Sequence, residues 1–144
     1  MKISIITISF NANDTIEKTL KSVVGQSYKN IEHLIIDGGS IDNTLEICNS
    51  FSHISKIISE SDKGVYDAFN KGLKLATGEI IGFLNADDVF YSEKALEDVV
   101  NAFSNNEADI VYGNLDYVNK EEKVIRNWIS RPYEKGLVKN AWMP

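Results

Sequence analysis

Residues 2–37, KISIITISFNANDTIEKTLKSVVGQSYKNIEHLIID, hold the pattern on which the fold turns. Lys2–Phe10 is an Ile-rich run stopped by Asn11, as expected of a strand buried on both faces. The period then changes. In Asp14–Gln26 the apolar residues Ile16, Leu20, Val23 and Val24 share one helical face. Asp14, with Glu17 three residues on, has the form of a capping box in which Asp replaces Ser or Thr. Ile31–Ile36 is a second buried strand and ends at Asp37-Gly38-Gly39-Ser40.

The alternation continues. A helix is expected from Asp42 to Phe51, burying Leu45, Cys48 and Phe51, then a weaker strand over Lys56–Ser59. Val65–Ala76 is a helix with the stripe Val65, Ala68, Phe69, Gly72 and Leu73, closed by Gly78 as a left-handed cap. Glu79–Leu84 is a fourth strand, followed by Asn85-Ala86-Asp87-Asp88. Ser92 caps a helix to about Phe103, with Leu96, Val99, Val100 and Phe103 inward. Asp109–Tyr112 reads as a fifth strand, and Leu115–Val118 with Val124–Trp128 as a hairpin across Asn119–Lys123. Strict strand–helix alternation means an α/β fold with a mostly parallel sheet and helices on both faces.

Such a sheet binds ligands beyond the C-terminal ends of its strands. Polar clusters fall there four times: Phe10-Asn11, Asp37–Ser40, Glu60–Lys63 and Asp87-Asp88. Adjacent carboxylates such as Asp87 and Asp88 repel unless a cation sits beside them. One or two carboxylates with water and phosphate suit Mg²⁺ or Mn²⁺. The same pair is also common in loops, where it does no more than start a turn. The glycines after Asp37 allow either a plain turn or close approach of a ligand to the backbone. No G-x-G-x-x-G follows the first strand and no P-loop lysine is present, which disfavours both of those phosphate sites.

Composition sets bounds. The chain has 144 residues, 43% hydrophobic and 25% charged, with a net charge of −6; it is expected to form a single domain, residues 1–144. An acidic surface argues against nucleic-acid binding. The single cysteine, Cys48, forms no intrachain disulfide and reads as a core thiol. His33 and His53 are isolated in sequence and read as surface or satisfied core residues. Trp128 and Trp142 could stack on a sugar, but packing is the commoner role. No apolar run reaches membrane-spanning length and Ile3–Phe10 is too short for a signal region, so a cytoplasmic location is expected.

Four motifs in order, Ile5–Asn11, Ile36–Thr44, Ser59–Gly72 and Gly78–Asp88, resemble those of family 2 glycosyltransferases of the GT-A (Rossmann-like) fold. The resemblance covers residues 3 to about 120. It implies an inverting transferase that moves a sugar from a nucleotide-diphosphate donor onto a saccharide or lipid-linked acceptor, using Mg²⁺ or Mn²⁺. Bacterial surface polysaccharide assembly is the expected setting, with peripheral association at the inner face of the membrane left open. By the same resemblance, Phe10 and Asn11 belong to the nucleotide pocket, Phe10 lying against the base. Asp37 lies near the base or ribose, Asp62 and Asn70 line the pocket, Asp87 approaches the ribose and Asp88 ligates the metal.

Two departures stand out. Many family members have Asp-Asp where this chain has Asp37-Gly38. The family's catalytic base comes later in the chain, and the end of this one, Ala141–Pro144, resembles the approach to the acceptor half. The chain is therefore expected to be the donor-binding portion of a longer enzyme, truncated at its C-terminus, and no catalytic residue is assigned. A nucleotide-sugar-binding fragment without activity is the alternative. A phospho-acceptor signalling domain fits less well, because it needs an acidic pair where Phe10-Asn11 stands and a lysine where Gly113-Asn114 stands.

Overall fold

A computed structural model describes residues 1–105 and 108–132. Trp142 and the segment Ala141–Pro144 lie outside the described residues. The chain divides into two compact units, Met1–Asn101 and Ala102–Pro144. In the first unit β1 (Ile3–Ser9), β2 (Ile31–Asp37), β3 (Ile54–Ser59) and β4 (Ile80–Asn85) form a parallel sheet in the order β3-β2-β1-β4. The helices α1 (Ile16–Val24), α2 (Thr44–Asn49) and α3 (Val65–Leu75) connect them, and α4 (Ala95–Asn105) follows β4.

The sheet's two faces bury two separate clusters. On one, Ile16 and Leu20 of α1 and Cys48 of α2 pack on Ile35 and Ala86. On the other, Ala68 of α3 packs on Ile6, Leu34 and Ile36. Fully burying each such aliphatic side chain contributes about 1.5–3 kcal/mol. The central strands β1 and β2 are buried along nearly their whole length. β4, at the sheet's edge, leaves Ile81 and Phe83 partly exposed, so among the described residues coverage thins there.

Several local expectations are corrected. α1 begins at Ile16 with Thr15 as its N-cap, and no side chain caps it, so Asp14 and Glu17 form no capping box. α3 approaches the sheet through small residues: a Cβ on Gly72 would come within 2.4 Å of Ile6. That close seating turns Ala68 and Gly72 inward and leaves Val65 and Leu73 exposed, shifting the expected stripe. Gly78 is not a left-handed cap, because α3 ends at Ala76 in extended backbone. Its hydrogen serves space instead, since a Cβ there would lie 2.6 Å from the Ser4 amide and 2.8 Å from the Lys2 carbonyl. Asp109–Tyr112 forms no strand.

β2 carries a carboxylate near its start, facing the α3 side. Glu32 accepts from Lys2 Nζ at 2.9 Å, Thr77 Oγ1 at 2.7 Å, the Thr77 amide at 2.8 Å, and the Ser4 hydroxyl. Burial opposes its charge, but these donors outweigh that and bring its pKa down to about 2. Beyond β4, the buried Gln26 donates to the Ser92 carbonyl at 2.8 Å and accepts from the Leu96 amide at 3.0 Å, which fixes the entry to α4. The second unit holds the expected hairpin, β5 (Leu115–Val118) paired antiparallel with β6 (Val124–Trp128). Arg126 lies 5.0 Å from the Trp128 ring centre and 5.7 Å from that of Tyr117.

The two histidines are not isolated in space. His33 Nε2 is 3.0 Å from Thr7 Oγ1, and His33 Nδ1 is 3.1 Å from His53 Nε2. Burial pushes His33 down to about 3, and the neighbouring His53 adds to the shift. The folded chain then keeps His33 neutral where the unfolded chain, near 6.5, takes up a proton. Stability is fully present above pH 6.5 and falls as pH drops toward 3, by about 1.4 kcal/mol per pH unit. Urea midpoints measured from pH 7 to pH 5 are expected to decline. His33→Gln should flatten most of that decline, and an unchanged slope would contradict this account.

Candidate functional site

The strand order reverses between β1 and β4: the chain builds β1, β2 and β3 toward one edge, then places β4 on the other side of β1. Loops that leave a parallel sheet at such a switch point diverge and open a crevice. Here Phe10-Asn11 leaves β1 on one side and Asp87-Asp88 leaves β4 on the other, just beyond the Ile8–Asn85 pair. Phe10 is 66% exposed and presents its ring beside the turn that carries Gly38. Asp87 and Asp88 are exposed, and the preceding Ala86 is buried, which anchors the turn that presents them.

Asp37 is the exception among the acids at this rim. It is fully buried. Its carboxylate accepts from Ser9 Oγ at 3.0 Å, Ser59 Oγ at 2.7 Å, the Gly39 amide at 3.1 Å, the Ser40 amide at 2.8 Å, and the Ser40 hydroxyl. Burial would raise its pKa, but the bonds from Ser40, Ser59 and Ser9 outweigh burial and hold it below the usual carboxylate range. These donors come from the ends of β1 and β3 and from the turn after β2. Asp37 is therefore built into the floor, with its acceptor capacity taken up by the chain itself.

Asn11 also works on the loops. Its backbone is left-handed, φ 49°, a conformation that asparagine tolerates. Its amide donates to Ser40 Oγ at 2.8 Å, and its Oδ1 accepts from the Ile41 amide at 3.0 Å. Asp42 accepts from the Asn13 amide at 3.1 Å and the Thr44 amide at 3.0 Å, and Thr44 Oγ1 accepts from the Ala12 amide at 2.8 Å. The loops after β1 and β2 are thus cross-braced.

Phe10, Gly38 and Asp62 come together. A Cβ built on Gly38 would lie 2.8 Å from Asp62 Oδ2 and 3.4 Å from Phe10 Cδ2. Asp62 Oδ1 accepts from the Gly64 amide at 2.8 Å, and Gly64 has φ 106°, which glycine alone adopts without strain. Asn70 is exposed on α3, and its side chain makes no hydrogen bond among the described residues. Asp88 Oδ2 accepts from Asn85 Nδ2 at 2.9 Å. The other Asp88 oxygen and the Asp87 carboxylate have no hydrogen-bond partner among the described residues. No group of three or more His, Cys, Asp or Glu side chains there could enclose a metal. A single oriented carboxylate is what Mg²⁺ or Mn²⁺ uses when phosphate and water fill the remaining positions, so this donor set fits such an ion. Cys48 is inert: burial pushes its thiol up to about 11, with Asp37 adding to the shift.

Ser9, Ser40 and Ser59 escaped the reading of the sequence. The available signal was a serine at or just past three successive strand ends.

The architecture is that of GT-A transferases. S. aureus TarS in complex with UDP-GlcNAc superposes with a TM-score of 0.70 at 25% identity, over 76% of this chain and 33% of TarS. The mannosyltransferase PcManGT from Pyrobaculum calidifontis, in complex with GDP-Man and Mn²⁺, shares the fold with a TM-score of 0.66 at 24% identity, over 83% of this chain and 36% of that one.

The chain belongs to glycosyl transferase family 2, whose profile matches residues 4–141. This removes the signalling-domain reading. The UDP-Glc:alpha-D-GlcNAc-diphosphoundecaprenol beta-1,3-glucosyltransferase of Escherichia coli is 38% identical over 126 residues, covering 85% of this chain and 49% of the relative. A PGL/p-HBAD biosynthesis glycosyltransferase of Mycobacterium bovis is 38% identical over 117 residues, 78% of this chain and 46% of the relative. The chain thus spans about half the length of these curated relatives or less. No helix among the described residues is long and apolar enough to cross a membrane.

Asp37→Asn keeps the shape of the side chain but turns one acceptor into a donor that faces serine hydroxyls and amides. Losing charge-assisted bonds and leaving buried donors poorly matched costs about 1.5–3 kcal/mol. Chemical unfolding of the variant is expected to show a loss of that order, and a loss below about 1 kcal/mol would overturn the clamp.

Proposed function

We propose that this chain is the donor-binding part of an inverting glycosyltransferase that uses a nucleotide-diphosphate sugar and a divalent cation. The observation that carries the reading is the strand switch between β1 and β4. An exposed aromatic ring and the Asp62 carboxylate stand on one side of it, and two exposed carboxylates on the other.

Phe10 offers a flat apolar surface for the base. Asn11 fixes the loop beneath it through Ser40 and Ile41 rather than facing the ligand. Asp37 acts by positioning that same floor. Asp62 borders the base, Asn70 extends the rim along α3, and Asp87 meets the ribose. Asp88 holds Mg²⁺ or Mn²⁺, its carboxylate oriented by Asn85. Bound there, the ion supplies Lewis-acid stabilisation of the departing diphosphate.

In the transfer, the acceptor hydroxyl oxygen bonds to the anomeric carbon from the face opposite the leaving group. The bond from that carbon to the diphosphate oxygen breaks, and its electron pair leaves with the nucleoside diphosphate. The hydroxyl proton passes to a base, which is assigned to none of the residues above. A saccharide or lipid-linked acceptor is supported by the E. coli relative, whose substrate is named as a diphosphoundecaprenol-linked sugar. Such an acceptor would put the reaction at the cytoplasmic face of a bacterial membrane, in surface polysaccharide assembly.

Calorimetric titration with UDP, dTDP and GDP, with and without Mn²⁺, tests the reading. Binding of at least one nucleotide should strengthen with Mn²⁺, and Asp88→Ala should weaken the Mn²⁺-supported binding about tenfold or more. If no nucleotide binds under either condition, the donor-site reading fails.

A further inference from the structure

We infer that Gly38 and Asp62 together read the nucleobase of the donor, and that they select a base whose one donor on its pairing edge is a ring N–H, uracil or thymine. The inference rests on the donor-site reading above and adds the identity of the base and the device that chooses it.

Three glycines on this rim serve different ends. Gly39 and Gly64 have positive φ, 87° and 106°, so glycine is needed there for its backbone. Gly38 has no such requirement. Its missing side chain matters for space: the Asp62 carboxylate occupies the volume that a Cβ would fill, 2.8 Å from its Oδ2. The same absent Cβ would touch the Phe10 ring at 3.4 Å. Gly38 therefore lets a carboxylate oxygen stand beside the one exposed aromatic ring at the end of β1.

The two oxygens of Asp62 differ. Oδ1 is engaged by the Gly64 amide, so Oδ2 is the acceptor left for a ligand. An ionised carboxylate accepts and does not donate. A base lying on Phe10 that offers one ring N–H to Oδ2 gains a charge-assisted hydrogen bond. Uracil and thymine have that N–H at N3. Cytosine has a lone pair at N3 and would face Oδ2 acceptor to acceptor. Guanine offers two adjacent donors, for which a free two-oxygen carboxylate is the better match. A site built to bond an N–H rejects a ligand that lacks it more strongly than an apolar pocket rejects a misfit.

The neighbour that Gly38→Ala would displace is the far end of a flexible side chain, not backbone. The variant should therefore fold and act by moving Asp62. Titrations of the full chain with UDP and CDP in the presence of Mn²⁺ give the test, using Gly38→Ala, Asp62→Asn and the double variant. UDP is expected to bind the parent chain at least about tenfold more tightly than CDP. Each single variant should weaken UDP about tenfold, with a thermal midpoint close to the parent's. The double variant should be no weaker than Asp62→Asn alone, because Gly38 acts through Asp62. Asp62→Asn should also narrow the UDP-to-CDP ratio, since an amide can donate to the cytosine N3. UDP binding with an unchanged ratio in Asp62→Asn, or additive losses in the double variant, overturns the inference and leaves the donor site standing. Absence of all nucleotide binding overturns both.

Discussion

The Asp37 carboxylate is the constraint around which the crevice is arranged. Removing an ion from water costs several kcal/mol, and the cost is met only where hydrogen bonds take up its lone pairs. Here the donors are Ser9 at the end of β1, Ser59 at the end of β3, and Gly39 and Ser40 in the turn after β2. Satisfying the charge therefore fixes three strand ends and one turn relative to one another. Ser40, so placed, accepts from the Asn11 amide, and Asn11 accepts from Ile41. The presentation of Phe10 thus follows from a carboxylate that has no remaining capacity for a ligand.

Glu32 does the matching work five residues earlier on the same strand. It ties Lys2 and Ser4 to Thr77, where the chain enters β4. Gly78 lets that entry pass against the backbone of β1. Glu32 points to the α3 side and Asp37 to the α1–α2 side, as the parity of the strand requires. β2 is otherwise apolar and parallel, and parallel ladders are the less stable kind per residue. Two satisfied carboxylates on opposite faces fix its ends where aliphatic packing alone would allow slippage.

The sheet was legible because its signal is one of period: Ile-rich runs alternating with 3.6-residue stripes need no tertiary information. The hairpin was legible from the polar turn Asn119–Lys123. Two of the misreadings involve a neighbour distant in sequence. Gly78 looks like a helix cap until the backbone of Lys2 and Ser4 is brought against it. Val65 and Leu73 look inward until Gly72 draws α3 close enough for Ala68 to fill the contact. His33 is the satisfied core residue expected, and its partners Thr7 and His53 reach it only through strand pairing in the fold. At the rim, the sequence singled out the loops at the strand ends but could not separate a buried acid from an exposed one. Asp37 and Asp88 both follow an apolar strand. The serines on β1 and β3 make Asp37 a clamp, whereas Asp88, among the described residues, keeps only the Asn85 contact and stays exposed.

That separation bears on how an acidic rim could receive a diphosphate. Asp37 is neutralised by donors within the fold and adds little repulsion. Asp62, Asp87 and Asp88 remain accessible to solvent. The end of β2, next to Gly38 and the Asp62 carboxylate, lies two strand spacings from β4, roughly 10 Å. That is about one Debye length at physiological salt, so the two acidic groups are largely screened from each other where they face water. They can accordingly serve opposite needs. In the base-reading proposed above, an acceptor-only carboxylate at the Phe10 end would discriminate between bases. At the β4 end a carboxylate beside a dianion is useful only if a cation lies between them. Within the proposed donor site, a divalent ion between Asp88 and the diphosphate would be needed for that reason, apart from any likeness to other transferases.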